Sequence, residues 1–296
     1  MTLTLNLPTL EGRIQPYRLS VPRDFPSARQ GEFNRVAFSA AHVVADPLSA
    51  AEPWLECAVD WDATLEYRRS LWKLGLGVAE AMDTAQRGMG LDWPTSLELI
   101  RRSIDASSDI PGAFLASGAG TDHLTPSPSL SIDDVIAAYE HQFEAIEKLG
   151  GRIILMASRA LVVAARSPED YLRVYDRLLR QAKQPVIIHW LGEMFDPALA
   201  GYWGHKDHTR AMDVAIAAIR ANSAKVDGVK VSLLDKQKEI DMRRRLPDGV
   251  RMYTGDDFNY AELIEGDSEG YSDALLGIFD AIAPAASAAL SALAVG

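Results

Sequence analysis

The sequence predicts an α/β protein, a (β/α)8 TIM barrel with an N-terminal extension. Three observations carry that prediction. Eight short apolar runs recur from residue 35 onward. Segments of helical periodicity separate them. The alternation also fills roughly the 250 residues typical of such a barrel. A doubly wound open sheet is the competing architecture, and the lack of a G-x-G-x-x-G after the first run lowers a dinucleotide-binding version of it. The division read here is residues 1–34 as extension and residues 35–296 as barrel.

Each element has a local reason. Residues 1–34 show little periodicity and several prolines, hence an extension. The expected strands are RVAFSAAHVV from Arg35, GVAEAM from Gly77, GAFLAS from Gly112 and RIILMAS from Arg152, then PVIIHWL from Pro185, DGVKVSL from Asp227, VRMYTG from Val250 and ALLGIF from Ala274. Among the helices, WDATLEYRRSLWKLG has Asp60 or Asp62 as cap. Ser131 and Asp134 have capping-box spacing at the start of a helix that ends at Gly150 and Gly151. Ser167 caps another, with Pro168 at its first position. Pro–Ser alternation between Thr125 and Ser129 marks a loop, and APAASAALSALAVG reads as the last barrel helix.

A net charge of −11 opposes general affinity for nucleic acid or anionic membrane, which need clustered positive charge. The short run Arg243, Arg244 and Arg245 is best explained as a solvated helix end. Cys57 is the single cysteine, which excludes an internal disulfide and cysteine metal clusters. No signal peptide and no membrane span is readable. A soluble, cytoplasmic protein is expected.

Lys230 is the most informative residue. It interrupts the apolar run VDGVKVSLL where strand alternation points its amine away from Val229 and Val231. Desolvation favours the neutral amine, which attacks carbonyls to form a Schiff base. A structural ion pair with a buried carboxylate is the competing role. His189 shares the parity of Ile187, so both face the barrel axis if either does, which makes His189 a candidate proton shuttle or a neutral core histidine.

In a barrel, polar residues at the carboxyl ends of strands carry extra weight. His42 sits near the first such end and Glu80, Asp83 and Thr84 follow the second. SGAGTDH, with Gly118, Gly120 and Thr121, suits a substrate carboxylate or phosphate, although its glycines are at least as well explained by chain reversal. Arg159 is a candidate anion ligand. Ser232, Gly255, Asp256 and Asp257 complete the set, with one of the two aspartates expected as a helix cap. Trp190, Tyr202 and Trp203 are candidates for a sugar-sized pocket or for plain core. An alternative metal-dependent isomerase, epimerase or aldolase would draw ligands from Glu80, His189, Glu193, Asp256 and His208. The remaining histidines, His123, His141 and His205, show no metal spacing. A non-catalytic small-molecule-binding barrel is the third possibility.

These residues resemble the dihydrodipicolinate synthase and N-acetylneuraminate lyase group of Schiff-base aldolases, and look closest to a divergent bacterial branch of it. Gly228, Val229 and Lys230 are similar to that group's Gly-Ile-Lys strand, whose lysine forms the imine. Thr254, Gly255, Asp256 and Asp257 are similar to its Ser-Gly-Asp-Asp turn. The resemblance implies a lyase without a separate cofactor, acting on a small carbonyl compound in carbohydrate or keto-acid metabolism, and a homo-oligomer. The sequence departs from the group in three ways. Thr84 matches the second threonine of the group's carboxylate-gripping Gly-Thr-Thr-Gly-Glu loop, but Asp83 replaces the first, which makes a polyhydroxy carbonyl substrate more attractive than a pyruvate-like one. His189 stands where the group has a tyrosine relay, implying an acid–base partner with a pKa near neutrality. The group's further C-terminal helices are missing here, so either the subunits assemble differently or the sequence is shortened.

Overall fold

Each of the eight runs contains a strand, and the strands close into one barrel of parallel neighbours. A computed structural model describes residues 3–52 and 55–296. An antiparallel hairpin, β1 (Thr4–Pro8) and β2 (Ile14–Arg18), comes first, within the segment read only as an extension. The barrel then follows as β3 (Ala37–Ala40), α1 (Trp61–Lys73), β4 (Gly77–Glu80), α2 (Trp93–Ser107), β5 (Leu115–Ala119), α3 (Ile132–Lys148) and β6 (Ile153–Leu155). Its second half is α4 (Arg159–Ala164), α5 (Pro168–Gln181), β7 (Val186–Leu191), α6 (His208–Ala221), β8 (Val226–Ser232), α7 (Lys236–Arg243), β9 (Arg251–Thr254), α8 (Tyr260–Glu265), β10 (Asp273–Leu276) and α9 (Phe279–Val295). Strand β10 pairs with β3 and closes the ring.

The caps explain where several helices begin. Asp60 accepts from the Ala63 amide, so it, not Asp62, starts α1. Ser131 and Asp134 form the reciprocal capping box of α3. Pro168 opens α5, while Pro284 lies inside α9, just beyond a non-helical Ile282. That proline removes a donor and accounts for the kink. Gly112 has a φ of +77°, so the run beginning there is a turn and the strand starts only at Leu115.

Strand alternation sorts two layers. Phe38, Ala40, Ala79, Ala116, Ile154, Ile187, Tyr253 and Leu275 fill the barrel interior. Val229, Val231, Ile188 and Trp190 belong to the layer between the barrel and its helices. Tyr202 and Trp203 lie in that same outer layer, 3% and 0% exposed, so the three aromatics considered as pocket walls are core. No helix among the described residues is long and apolar enough to cross a membrane.

A buried carboxyl supports the β9 end of the barrel. Glu239 on α7 accepts hydrogen bonds from the Thr254 hydroxyl at 3.0 Å and the Ser272 hydroxyl at 2.8 Å. Burial is the main reason its pKa rises from 4.5 to about 7, with the Asp256 charge adding to it. A raised carboxyl pKa means the folded state holds the proton more tightly. The stabilisation is therefore complete below about 4.5 and lost as pH rises through about 7. Glu239→Gln should remove that pH dependence and be more stable than the wild type at pH 8 by on the order of 3 kcal/mol, read from urea unfolding across pH. Parallel pH profiles for the two proteins would refute this.

Candidate active site

Lys230 lies one residue pair from the carboxyl end of β8, in register with His189 on β7 and Tyr253 on β9. Tyr253 and Ile187 belong to the interior, and Val229 and Val231 to the outer layer, so Lys230 and His189 both point inward. Period-2 alternation in the sequence implied this orientation. Lys230 is 4% exposed and His189 is 0% exposed. Among the described residues, no carboxylate comes within salt-bridge distance of the Lys230 amine.

The electrostatics follow from burial. Desolvation pushes the Lys230 amine below its ordinary range, against the opposing pull of Asp83 and Asp257. Burial first, and the Lys230 charge second, push the His189 imidazole down to about 3. That corrects the expectation of a near-neutral pKa: His189 is an uncharged imidazole at physiological pH. Its Nε2 is 3.3 Å from the Ser232 hydroxyl, and its Nδ1 is buried without a hydrogen-bond partner. Burial works to raise the Asp83 carboxyl, but the Lys230 charge chiefly outweighs it and leaves the pKa below the usual value. Asp257 goes the other way, raised chiefly by burial although Lys230 opposes it.

Above these groups opens a cavity of about 410 Å³ at the carboxyl ends of the strands, lined by Asp83, Thr84, Thr121, Arg159, Asp257 and Met156 among others. Lys230 and His189 are not in its lining. They are coupled electrostatically to Asp83, which does line it. Asp83 reaches this position because Ala81 adopts a left-handed conformation, φ 53°, immediately after β4. A non-glycine residue held there stores about 1 kcal/mol or more of strain, and such strain clusters at functional sites. On the opposite wall, the Thr121 hydroxyl is 2.6 Å from that of Ser158, the N-cap of α4.

The remaining candidates divide. Gly255 is a close-packing position, since a Cβ there would lie 2.8 Å from both Lys230 Cε and the Val231 carbonyl oxygen and closer still to the Ser232 hydroxyl. Gly255→Ala should therefore slow reaction at Lys230 and cost about 1–3 kcal/mol of stability. Unchanged unfolding and unchanged lysine reactivity would refute that. Gly118 is corrected to an architectural role: a Cβ would meet Met156 Sδ at 2.6 Å and the Ala81 oxygen at 2.7 Å, and the Gly118 carbonyl accepts from Arg87. Asp256 is also corrected. Its carboxylate accepts from the Phe258 and Asn259 amides and the Asn259 side chain, which turns it into the loop, and Asp257 takes the cavity position. Arg159 lines the cavity but is held by Asp196 at 2.6 Å.

The alternative metal ligands do not assemble. Glu80 shares the outward parity of Val78 and is gripped by Arg68 behind the barrel. Glu193 meets His208 at 3.0 Å, and no group of three His, Cys, Asp or Glu residues suited to a metal occurs among the described residues. His42, at the first strand end, sits 2.9 Å from Asp280. Arg87 escaped the sequence reading altogether. It is 5% exposed, lines the cavity, and binds Asp122 through two nitrogens at 3.1 and 3.0 Å. Its partner lies 35 residues away, so only the fold reveals the pair.

Comparison with known proteins places this geometry in context. The chain belongs to the family described as "Protein of unknown function (DUF993)", whose model matches residues 5–296. No curated protein matches the sequence. Among solved structures, dihydrodipicolinate synthase from Aquifex aeolicus is similar at a TM-score of 0.65 and 9% identity, covering 88% of this chain and 75% of that one. Dihydrodipicolinate synthase from Acinetobacter baumannii, complexed with pyruvate, gives 0.61 and 18%, covering 88% and 76%. A 2-keto 3-deoxygluconate aldolase from Picrophilus torridus gives 0.57 and 14%, covering 83% and 75%. These structures share the barrel fold of this chain.

Proposed function

We propose that this member of the DUF993 family is a lyase of the class I aldolase type, forming a Schiff base between Lys230 and a small carbonyl substrate. The observation that carries the reading is the Lys230 amine itself: inward, buried, outside any salt bridge and shifted toward its neutral form. A neutral amine attacks the carbonyl carbon, a C–N bond forms, and the carbonyl oxygen leaves as water once protonated. The iminium that remains draws electrons from the adjacent carbon, so an aldol bond one carbon further out can break or form without a separate cofactor. The names of the structural relatives, a synthase holding pyruvate and a keto-sugar aldolase, agree with a carbonyl substrate.

In this scheme His189 acts as an uncharged hydrogen-bond partner to the carbinolamine oxygen through its free Nδ1. Asp83, ionised at neutral pH and lining the cavity, is the proton acceptor in this scheme. A cytoplasmic homo-oligomer fits the scheme. All ten residues of β1 and β2 are exposed, and a lone two-stranded hairpin is marginal in water unless something packs on it.

Incubation with a panel of keto acids and keto sugars, followed by borohydride and peptide mass spectrometry, tests the chemistry. Borohydride delivers hydride to the imine carbon and leaves a stable secondary amine. The expected result is an adduct on Lys230; no adduct with any carbonyl would overturn the reading. The pH dependence adds a second check. The neutral fraction grows as pH rises through the amine pKa, and that pKa lies below the ordinary 10.5. The trapping rate should therefore climb and level off at lower pH than for a free lysine side chain. A profile matching the free side chain would contradict the lowered pKa.

A further inference from the structure

We propose that Asp83 and Asp257, the two cavity carboxylates without an ion-pair partner, act as an anionic pair that admits a neutral polyhydroxylated ketone or aldehyde and turns away a 2-oxo acid. The inference rests on the Schiff-base reading of Lys230 and names the substrate class that site accepts.

The charges bordering the cavity decide the matter. They are four carboxylates, Asp83, Asp122, Asp196 and Asp257, and two guanidiniums, Arg87 and Arg159. Both cations are already engaged. Arg87 binds Asp122 through two nitrogens, the Ala81 carbonyl at 3.0 Å, the Gly118 carbonyl at 2.8 Å and the Gln142 side-chain oxygen at 2.5 Å. Arg159 donates its Nε to Asp196, while its terminal nitrogens make no hydrogen bond among the described residues. Each arginine is paired with a carboxylate, which leaves Asp83 and Asp257, both coupled electrostatically to Lys230, as the cavity carboxylates outside any ion pair. A substrate carboxylate beside Lys230 would meet these two acidic groups, and the guanidinium nitrogens left to it belong to Arg159, whose charge Asp196 already balances.

Both aspartates also have an acceptor to offer. Asp83 Oδ1 and Asp257 Oδ1 are buried and lack any hydrogen-bond partner. Buried acceptors without donors are uncommon, and each calls for a group that supplies one. Hydroxyls on the carbons next to a carbonyl are such groups. In a 2-oxo acid that same position is the carboxylate, one bond from the carbon that becomes the imine, which would lie against Asp83. In C–C cleavage the reacting hydroxyl is the one on the next carbon out, β to the imine carbon, and Asp83 would accept its proton if the chain extends along the cavity past it. As the bond breaks, its electron pair moves to the iminium nitrogen to give an enamine, the hydroxyl oxygen becomes the new carbonyl, and its proton passes to Asp83. The proton returns to the enamine carbon before water hydrolyses the imine.

Competition trapping tests the selection. Wild-type protein is given equal concentrations of dihydroxyacetone and pyruvate with borohydride, and peptide mass spectrometry quantifies each adduct on Lys230. The adduct ratio is referred to that of a free-amine lysine derivative treated identically. The expected ratio favours dihydroxyacetone at least tenfold over the reference. Asp83→Asn, which keeps the shape and removes the charge, should lower the ratio at least tenfold by raising the pyruvate adduct, and Asp257→Asn should move it in the same direction. Should Asp83→Asn fail to fold by near-ultraviolet circular dichroism, Asp257→Asn decides alone. Pyruvate adducts dominating in the wild type, or a ratio unmoved in the folded variants, would overturn the substrate class while leaving the Schiff base standing. No Lys230 adduct with either compound would instead remove the Schiff-base reading beneath it.

Discussion

Replacing Arg68 with methionine is expected to destabilise the protein by about 3–5 kcal/mol, the largest stability effect of any single substitution considered. Arg68 and Glu80 are both 0% exposed, joined by two hydrogen bonds of 2.9 Å. The guanidinium also donates to the His42 and Thr64 carbonyls, so α1, the end of β3 and β4 meet on one side chain. Methionine keeps much of the volume but strands the Glu80 carboxylate in the outer core, where the Ser103 hydroxyl and the Ala81 amide are its remaining donors. An uncompensated buried charge is the costly outcome. The double substitution Arg68→Met with Glu80→Leu removes both charges and should recover most of the loss. Urea unfolding of the three proteins measures this, and a single variant within about 1 kcal/mol of wild type would show that the pair contributes little.

This ion pair shows where sequence reading stops. Glu80 follows an apolar strand in a barrel, and position alone makes it a candidate ligand. Whether it faces the axis depends on which parity of β4 is inward, and GVAE gives no decisive sign: Val78 and Ala79 are equally apolar. Packing settles it, because Ala79 fits the narrow interior while Val78 packs outside. In β8 the same rule was readable. Val229 and Val231 make one face plainly apolar, so Lys230 had to take the other. The eight barrel strands were legible for a similar reason, as compact apolar runs bounded by turns. The β1–β2 hairpin was not, since both of its faces are solvent-exposed and prolines at positions 8 and 16 mask the strand pattern.

Loop chemistry was the least legible part of the site. Asp256 and Asp257 are chemically identical neighbours, and only the turn after Gly255 determines which one ties down the loop at Phe258 and Asn259 and which enters the cavity; neither caps α8, whose N-cap is Asn259. Arg87 and Asp122 meet across two loops, with no periodic pattern to announce them. Their pairing still bears on function, because it withdraws from the cavity a cation that would otherwise favour an anionic substrate.

Lys230 separates a catalytic role from a structural one through a pair of variants. Lys230→Met keeps the chain length without the amine, and Lys230→Arg keeps a positive charge between Asp83 and Asp257 but cannot form an imine. If Lys230 is the nucleophile, both variants lose adduct formation completely and lower turnover of the true substrate by a factor on the order of 10³ or more. If Lys230 only balances Asp83 and Asp257, arginine should preserve ligand binding and activity while methionine disturbs both. Stability discriminates independently. Methionine ends the cost of burying an amine but leaves the Asp83 carboxylate without its principal cation, so its pKa should rise and the variant should lose stability as pH increases relative to wild type. Those two changes oppose one another near neutral pH, which predicts a folded Lys230→Met protein that is chemically silent. A folded Lys230→Arg protein retaining wild-type activity would end the Schiff-base assignment.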